Sequence, residues 1–225
     1  MAVDVPANRT VVRTYDRLAA VYDLLVARLE RPTRWKTPAL LDPSPGERLL
    51  DVGCGPGHAA VSIAERVGRT GAVYGLDAAA EMVSRASDHR SRSESGDRLG
   101  LVLGDARRLP FDEGTVEGVL LAQTLELFDP DDRERVLREI ARILAPDGRL
   151  VVTSMERGGA RRTRFVRAYE WLFAHTPYSR IGCRPIDVTG TLAAAGFRAD
   201  RAETVRLAGL WPTTLALASP PHSGR

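Results

Sequence analysis

The run Asp51-Val-Gly-Cys-Gly-Pro-Gly57 constrains this chain more than any other stretch of it. It follows directly on the apolar segment Arg48-Leu-Leu50, so a strand feeds without a linker into a turn rich in glycine. Glycine enters positive φ freely and carries no Cβ, so this turn can reverse sharply and bring bare backbone against a ligand. The apolar spacing over 59–67 predicts a helix, whose unpaired first N–H groups would face that ligand. A strand, a glycine turn and a helix in this order are the opening unit of a parallel α/β sheet.

The rest of the chain continues that alternation. Strands are expected over 48–53, 72–77, 99–103, 116–121 and 149–154, and helices over 79–87 and 130–144. The second of these helices carries Asp129 at its N-cap, Pro130 in its first turn and an apolar stripe of Val136, Leu137, Ile140, Ile143 and Leu144. Residues 88–98 are polar and rich in Ser and Arg, which predicts a surface connection. A helix over 185–195 precedes two strands, 198–206 and 210–218, that have no helix between them. They predict a hairpin and hence an antiparallel addition to the sheet. At the other end, 9–31 has the spacing of an amphipathic helix closed by Pro32, and a shorter helix follows over 35–41. The fold class expected is α/β, a doubly wound, mostly parallel seven-stranded sheet with a C-terminal hairpin strand. One domain spans 1–225: a helical cap (1–42), a ligand-binding core (43–155), a lid insertion (156–184) and a C-terminal helix and hairpin (185–225).

Composition removes several classes. No apolar run approaches the roughly 20 residues needed to span a bilayer, and the first residues lack the pattern of a signal peptide. Cys54 and Cys183 stand far apart without metal-ligand spacing, so neither a disulfide framework nor a metal site is expected, and a cytoplasmic location is. A formal charge of +3 with acids and bases interspersed argues against nucleic acid as a partner.

Acids mark the ends of the first three strands. Asp51 precedes the glycines, Asp77 lies 20 residues past Gly57, and Asp105 follows Gly104. A carboxylate at Asp77 can accept from both hydroxyls of a ribose. Asp105 can accept from an adenine amino group while the Ala106 N–H donates to a ring nitrogen. A nicotinamide or flavin fingerprint, G-x-G-x-x-G, would want its third glycine at His58, one residue later than Gly57. Asp51 also suits a cationic ligand and repels a pyrophosphate.

These motifs, with Tyr15-Asp-Arg-Leu-Ala-Ala-Val-Tyr-Asp23, Leu109-Pro-Phe111 and Leu137-Arg-Glu-Ile-Ala-Arg-Ile-Leu-Ala-Pro-Asp-Gly148, resemble the class I S-adenosylmethionine-dependent methyltransferases, in particular the ubiquinone/menaquinone-biosynthesis group. The resemblance implies a Rossmann-like fold and S-adenosyl-L-methionine as cofactor. It implies that Gly53, Gly55 and Gly57 border the methionine and ribose, with Asp51, Cys54 and Ala78 beside them. Asp77 would hold the ribose, Asp105 and Ala106 the adenine edge, and Met82 the adenine face. Ala122 and Gln123 would line the methionine end, and Tyr22 would close the pocket.

Methyl transfer is an in-line displacement that positioning and exclusion of water can drive. A base is needed only when the acceptor loses a proton. Candidates are Tyr22, Glu126, His175 and Tyr178. Expected partners are a small-molecule acceptor and, through Arg157, Arg161, Arg162, Arg164, Arg167 and the adjoining Trp171, a peripheral contact with a membrane or lipid surface.

Overall fold

A computed structural model describes residues 31–157, 166–168, 171, 184–207 and 211–221. The elements run α1 (Arg31–Leu41), β1 (Arg48–Val52), α2 (His58–Arg66), β2 (Ala72–Asp77), α3 (Ala80–Ser91), β3 (Leu99–Leu103), β4 (Val116–Ala122), α4 (Pro130–Ile143), β5 (Leu144–Met155), α5 (Val188–Ala194), β6 (Arg198–Leu207) and β7 (Trp211–Ser219). All seven strands lie in one sheet of order β3-β2-β1-β4-β5-β7-β6. The first five are parallel, and β7 runs antiparallel to both β5 and β6. The hairpin expected at the C-terminus is therefore present, with its reversed strand inside the sheet and β6 at the edge.

β1 is the centre of the molecule. Leu49, Leu50, Asp51 and Val52 are all buried, as a strand covered on both faces requires. Successive side chains alternate between faces. Leu50 and Val52 join the cluster of Val119, Leu121, Val136, Leu137 and Ile140 under α4. Leu49 joins Leu41, Ala60, Ile63, Val67 and Leu120 under α1 and α2. The sheet is thus wrapped by helices on both sides.

Several boundaries differ from those read along the chain, among them the start of α5 at Val188 rather than 185. α3 continues to Ser91, a full turn beyond the expected end, where Ser91 Oγ donates to the Asp88 carbonyl at 2.8 Å. A single 3₁₀ turn at Gly96–Arg98 then leads into β3. β5 begins at Leu144 because Leu144 pairs with Val116, and the register then shifts so that Gly118 meets Arg149. Pro146-Asp-Gly148 is consequently an irregularity within a strand. Pro32, expected to end a helix, lies in the first described turn of α1. Among the described residues no helix is long and apolar enough to cross a membrane.

The topology fixes where a ligand can sit. From β1 the chain winds outward to β2 and β3, then returns past β1 to β4 and β5 on the other side. The winding reverses between β1 and β4, and a crevice opens at the carboxyl ends of strands there.

Candidate cofactor cleft

The glycine turn lies at that crevice. Gly53, Gly55 and Gly57 have φ of 71°, 52° and 82°, values that side chains with a Cβ rarely adopt. The N–H groups of Gly53 and Cys54 both donate to the Leu76 carbonyl, at 2.7 and 3.0 Å, which lashes the turn to β2. Each glycine meets a different environment. A Cβ on Gly53 would overlap the Thr124 side chain, and one on Gly57 would lie 2.9 Å from the Ala86 Cβ of α3. A Cβ on Gly55 would meet no protein atom within 4 Å. Gly55 therefore faces the cleft, while its neighbours allow close packing around it. Behind the turn, His89 Nδ1 stands 2.7 Å from the Pro56 carbonyl, and its ring stacks on His58 at 4.3 Å.

Asp77 and Asp51 bracket the turn. Asp77 Oδ2 accepts from the Gly55 N–H at 2.8 Å and Oδ1 from the Ala79 N–H at 2.9 Å. Both oxygens are thus held at the carboxyl end of β2, beside the glycine turn. Asp51 is 1% exposed, and neither of its oxygens has a hydrogen-bond partner of good geometry. Burial first, and then the charge of Asp77, push its pKa up to about 7 against a smaller pull from the Ala60 N–H. An orphaned buried carboxylate is costly unless a partner of opposite charge completes it. Cys54, wedged against Gly75, has its thiol pushed well up by burial and by both aspartates, which makes it an inert packing group.

On the β4 side, Gln123 adopts φ 53°, a strained conformation for a residue with a side chain. Its N–H donates to the Thr153 carbonyl at 2.7 Å, which holds the backbone there, and its side-chain Nε2 is buried without an acceptor. Ala122, just before it at the end of β4, is partly buried. Gln123 and Asp51 thus offer an unmatched donor and unmatched acceptors at the tips of adjacent strands.

At β3, Ala106 is buried, and Asp105 accepts a fork of hydrogen bonds from Arg107. Met82 is 2% exposed, on α3, and Ala78 is half-buried beside Asp77. Glu126 is only 1% exposed and accepts from Ser154 Oγ at 2.6 Å. Burial raises its pKa to about 7, eased by the Ser154 bond. Its backbone carbonyl accepts from the Arg184 N–H at 3.3 Å, which ties Arg184 to the segment just past β4. Tyr22, His175 and Tyr178 lie outside the described residues, as do Arg161, Arg162 and Arg164 of the basic run.

The structure therefore brings Asp51, Asp77 and Gly55 together, with Gln123 at the end of adjacent β4 and Asp105 just past the end of β3. Reading along the chain missed Thr124, Ser154 and Arg107. Each matters through a partner far away in sequence or through a side-chain conformation, and neither leaves a local signal. No cluster of His, Cys, Asp and Glu among the described residues could hold a metal ion.

Residues 49–148 match a family described as a methyltransferase domain. Nocamycin O-methyltransferase of Saccharothrix syringae is 38% identical over 139 residues, covering 62% of this chain and 49% of that protein. Demethylmenaquinone methyltransferase of Bacillus licheniformis is 31% identical over 141 residues, covering 63% and 57%. The chain thus spans about half the length of these curated relatives. A geranyl diphosphate C-methyltransferase from Streptomyces coelicolor A3(2), solved with S-adenosyl-L-homocysteine, superposes with a TM-score of 0.72 over 96% of this chain and 99% of that one. At 15% identity that likeness concerns the fold. Orphaned acid, left-handed glycines and reversed final strand meet in one architecture, and with a methyltransferase domain over 49–148 they identify a class I S-adenosylmethionine-dependent methyltransferase fold that resembles the quinone-type members.

Proposed function

We propose that this protein transfers a methyl group from S-adenosylmethionine to a small-molecule acceptor that is apolar and quinone- or lipid-like. The observation that carries the first half is Asp51, a fully buried carboxylate with two unpartnered oxygens beside a glycine whose missing side chain leaves the backbone open. A cation is the chemistry that completes it. The second half is supported by the names of quinone methyltransferases at about 30% identity.

Bound there, the cofactor supplies an electrophilic methyl group on a sulfonium. Asp51 would neutralise the positive end of the ligand, and Gln123 Nε2 would donate to its carboxylate. Asp77, oriented by the Gly55 and Ala79 amides, would take the ribose hydroxyls. Asp105 and Ala106 would read the adenine edge, and buried Met82 would back its face. Glu126, with a pKa near 7, suits the uptake of a proton from an acidic acceptor. Tyr22, His175 and Tyr178 are the other candidates for that role. A lipid-facing contact through the basic run belongs to the same proposal.

The test is turnover. The full chain, given S-adenosylmethionine and a panel of naphthoquinols and polyketide phenols, should release S-adenosylhomocysteine together with a methylated product seen by mass spectrometry. Binding with no product from any acceptor would favour the alternative, a cofactor-binding scaffold or sensor. Asp77→Ala should weaken S-adenosylhomocysteine binding by about 1–3 kcal/mol, through loss of charged hydrogen bonds. Unchanged affinity in calorimetry would remove Asp77 from the ribose.

A further inference from the structure

Asp105 is the strand-tip acid that is clamped by a guanidinium. Its Oδ1 accepts from the Arg107 backbone N–H at 2.9 Å and from Arg107 Nε at 3.0 Å. Its Oδ2 accepts from Arg107 Nη2 at 2.6 Å, with Nε shared at 3.1 Å. The remaining arm of the guanidinium, Nη1, donates to Asp132 Oδ2 at 2.9 Å, in the first turn of α4. The Asp105 and Arg107 side chains are each 12% exposed, so solvent screens this clamp little. Hydrogen bonds to Asp105, ahead of those to Asp132, hold the guanidinium more firmly protonated.

An ionised carboxylate has about four lone-pair positions. The backbone amide and one prong of the fork fill both on Oδ1, and the second prong fills one on Oδ2. One acceptor position is left, on Oδ2, pointing away from the guanidinium. We infer that Arg107, anchored by Asp132, is a positioning residue that holds Asp105 with a single acceptor open, and so makes the cleft select a purine with an exocyclic amino group over one with an oxo group. This rests on the reading above that Asp105 meets the adenine. The fork prevents rotation of the carboxylate, so the open position stays an acceptor in a fixed direction. An oxo group placed there meets a fixed acceptor and has no donor to satisfy it. Released from Arg107, the same carboxylate can turn or recruit a bridging water, and either tolerates the oxo group.

The experiment compares S-adenosylhomocysteine with S-inosylhomocysteine, its 6-oxo counterpart, by calorimetry on the full chain. The unmodified protein should favour the amino compound by about 100-fold. Arg107→Met should lose most of that ratio, about tenfold or more, chiefly because the oxo compound binds better relative to the amino one. Arg107→Lys should restore only part, because an ammonium lacks the planar fork. Asp132→Asn, which leaves Asp105 untouched, should shift the ratio the same way by a few-fold. A folded Arg107→Met protein whose two affinities fall in equal proportion would reduce Arg107 to a structural role and overturn the inference. If that variant does not fold, an unchanged ratio in Asp132→Asn overturns it. Failure of the adenine reading itself looks different. The unmodified protein then binds neither compound, or Asp105→Asn leaves the ratio as it was.

Discussion

Asp51→Asn is expected to make the ligand-free protein more stable at pH 8 and to impair its binding of S-adenosylmethionine severely. The wild-type carboxyl titrates near 7 in the folded chain because it is buried and lies near Asp77, whereas in an unfolded chain it titrates near 4. Between those values the folded state holds the extra proton, so stability falls as pH rises through this window. Above it the buried charge acts against folding in full. Asparagine removes that penalty. The thermal midpoint at pH 8 should rise by about 4 °C or more, the shift that 1–2 kcal/mol produces in a chain of this size. At pH 4 the two proteins should converge. Glu126 contributes a trend of the same sign, but it is present in both proteins, so their difference isolates Asp51.

Binding should move in the opposite direction. A cation beside Asp51 favours its ionised form, so association below pH 7 expels a proton, and affinity should climb up to tenfold per pH unit between 5 and 7. In Asp51→Asn that climb disappears, and at pH 8 the loss should be about 2–5 kcal/mol, as for one partner removed from a buried charge pair. Calorimetry in two buffers of different ionisation enthalpy reads the proton directly. A wild-type affinity that is flat across this range would remove Asp51 from contact with the cation.

The second large effect separates two glycines that sit two residues apart. Gly55→Val should cut S-adenosylhomocysteine affinity at least 100-fold while leaving the fold cooperative. The new side chain meets no protein atom, so its structural cost is confined to the left-handed backbone, about 1–2 kcal/mol. Gly57→Val should do the reverse in emphasis. Its Cβ would press on Ala86 at 2.9 Å and force α2 away from α3, adding about 1–3 kcal/mol of overpacking to the same backbone strain. The thermal midpoint should then fall by roughly 5–15 °C. Undiminished binding by Gly55→Val, with the midpoint barely moved, would show that the ligand does not approach this backbone.

The difference between these glycines marks where reading along the chain stops. Their clustering after an apolar strand announced the turn, since only glycine takes those φ values cheaply. It did not say that Gly53 fits against Thr124, that Gly57 fits against Ala86, or that Gly55 alone of the three faces open space. Strands β1 and β3 and helix α4 were legible nearly to the residue, because a buried strand or an amphipathic helix repeats its apolar pattern locally. The last turn of α3 was not. Asp88 to Ser91 carries no apolar period, and the turn is secured by His89 reaching back to Pro56. The start of β5 also escaped, because Leu144 becomes a strand residue only by pairing with Val116.

By itself, then, the order of residues determined the alternation of strands and helices, the reversed C-terminal pair and the set of acids and glycines that a cationic nucleoside would need. These follow from backbone sterics and from the periodicity of burial, both of which act over a few residues. Tertiary structure alone decided the state of each acid. It left Asp51 bare, shared Asp77 with two amides, closed Arg107 over Asp105 and buried Glu126 against Ser154. Those outcomes depend on which charges and donors come within about 3 Å across the sheet, and packing sets that distance.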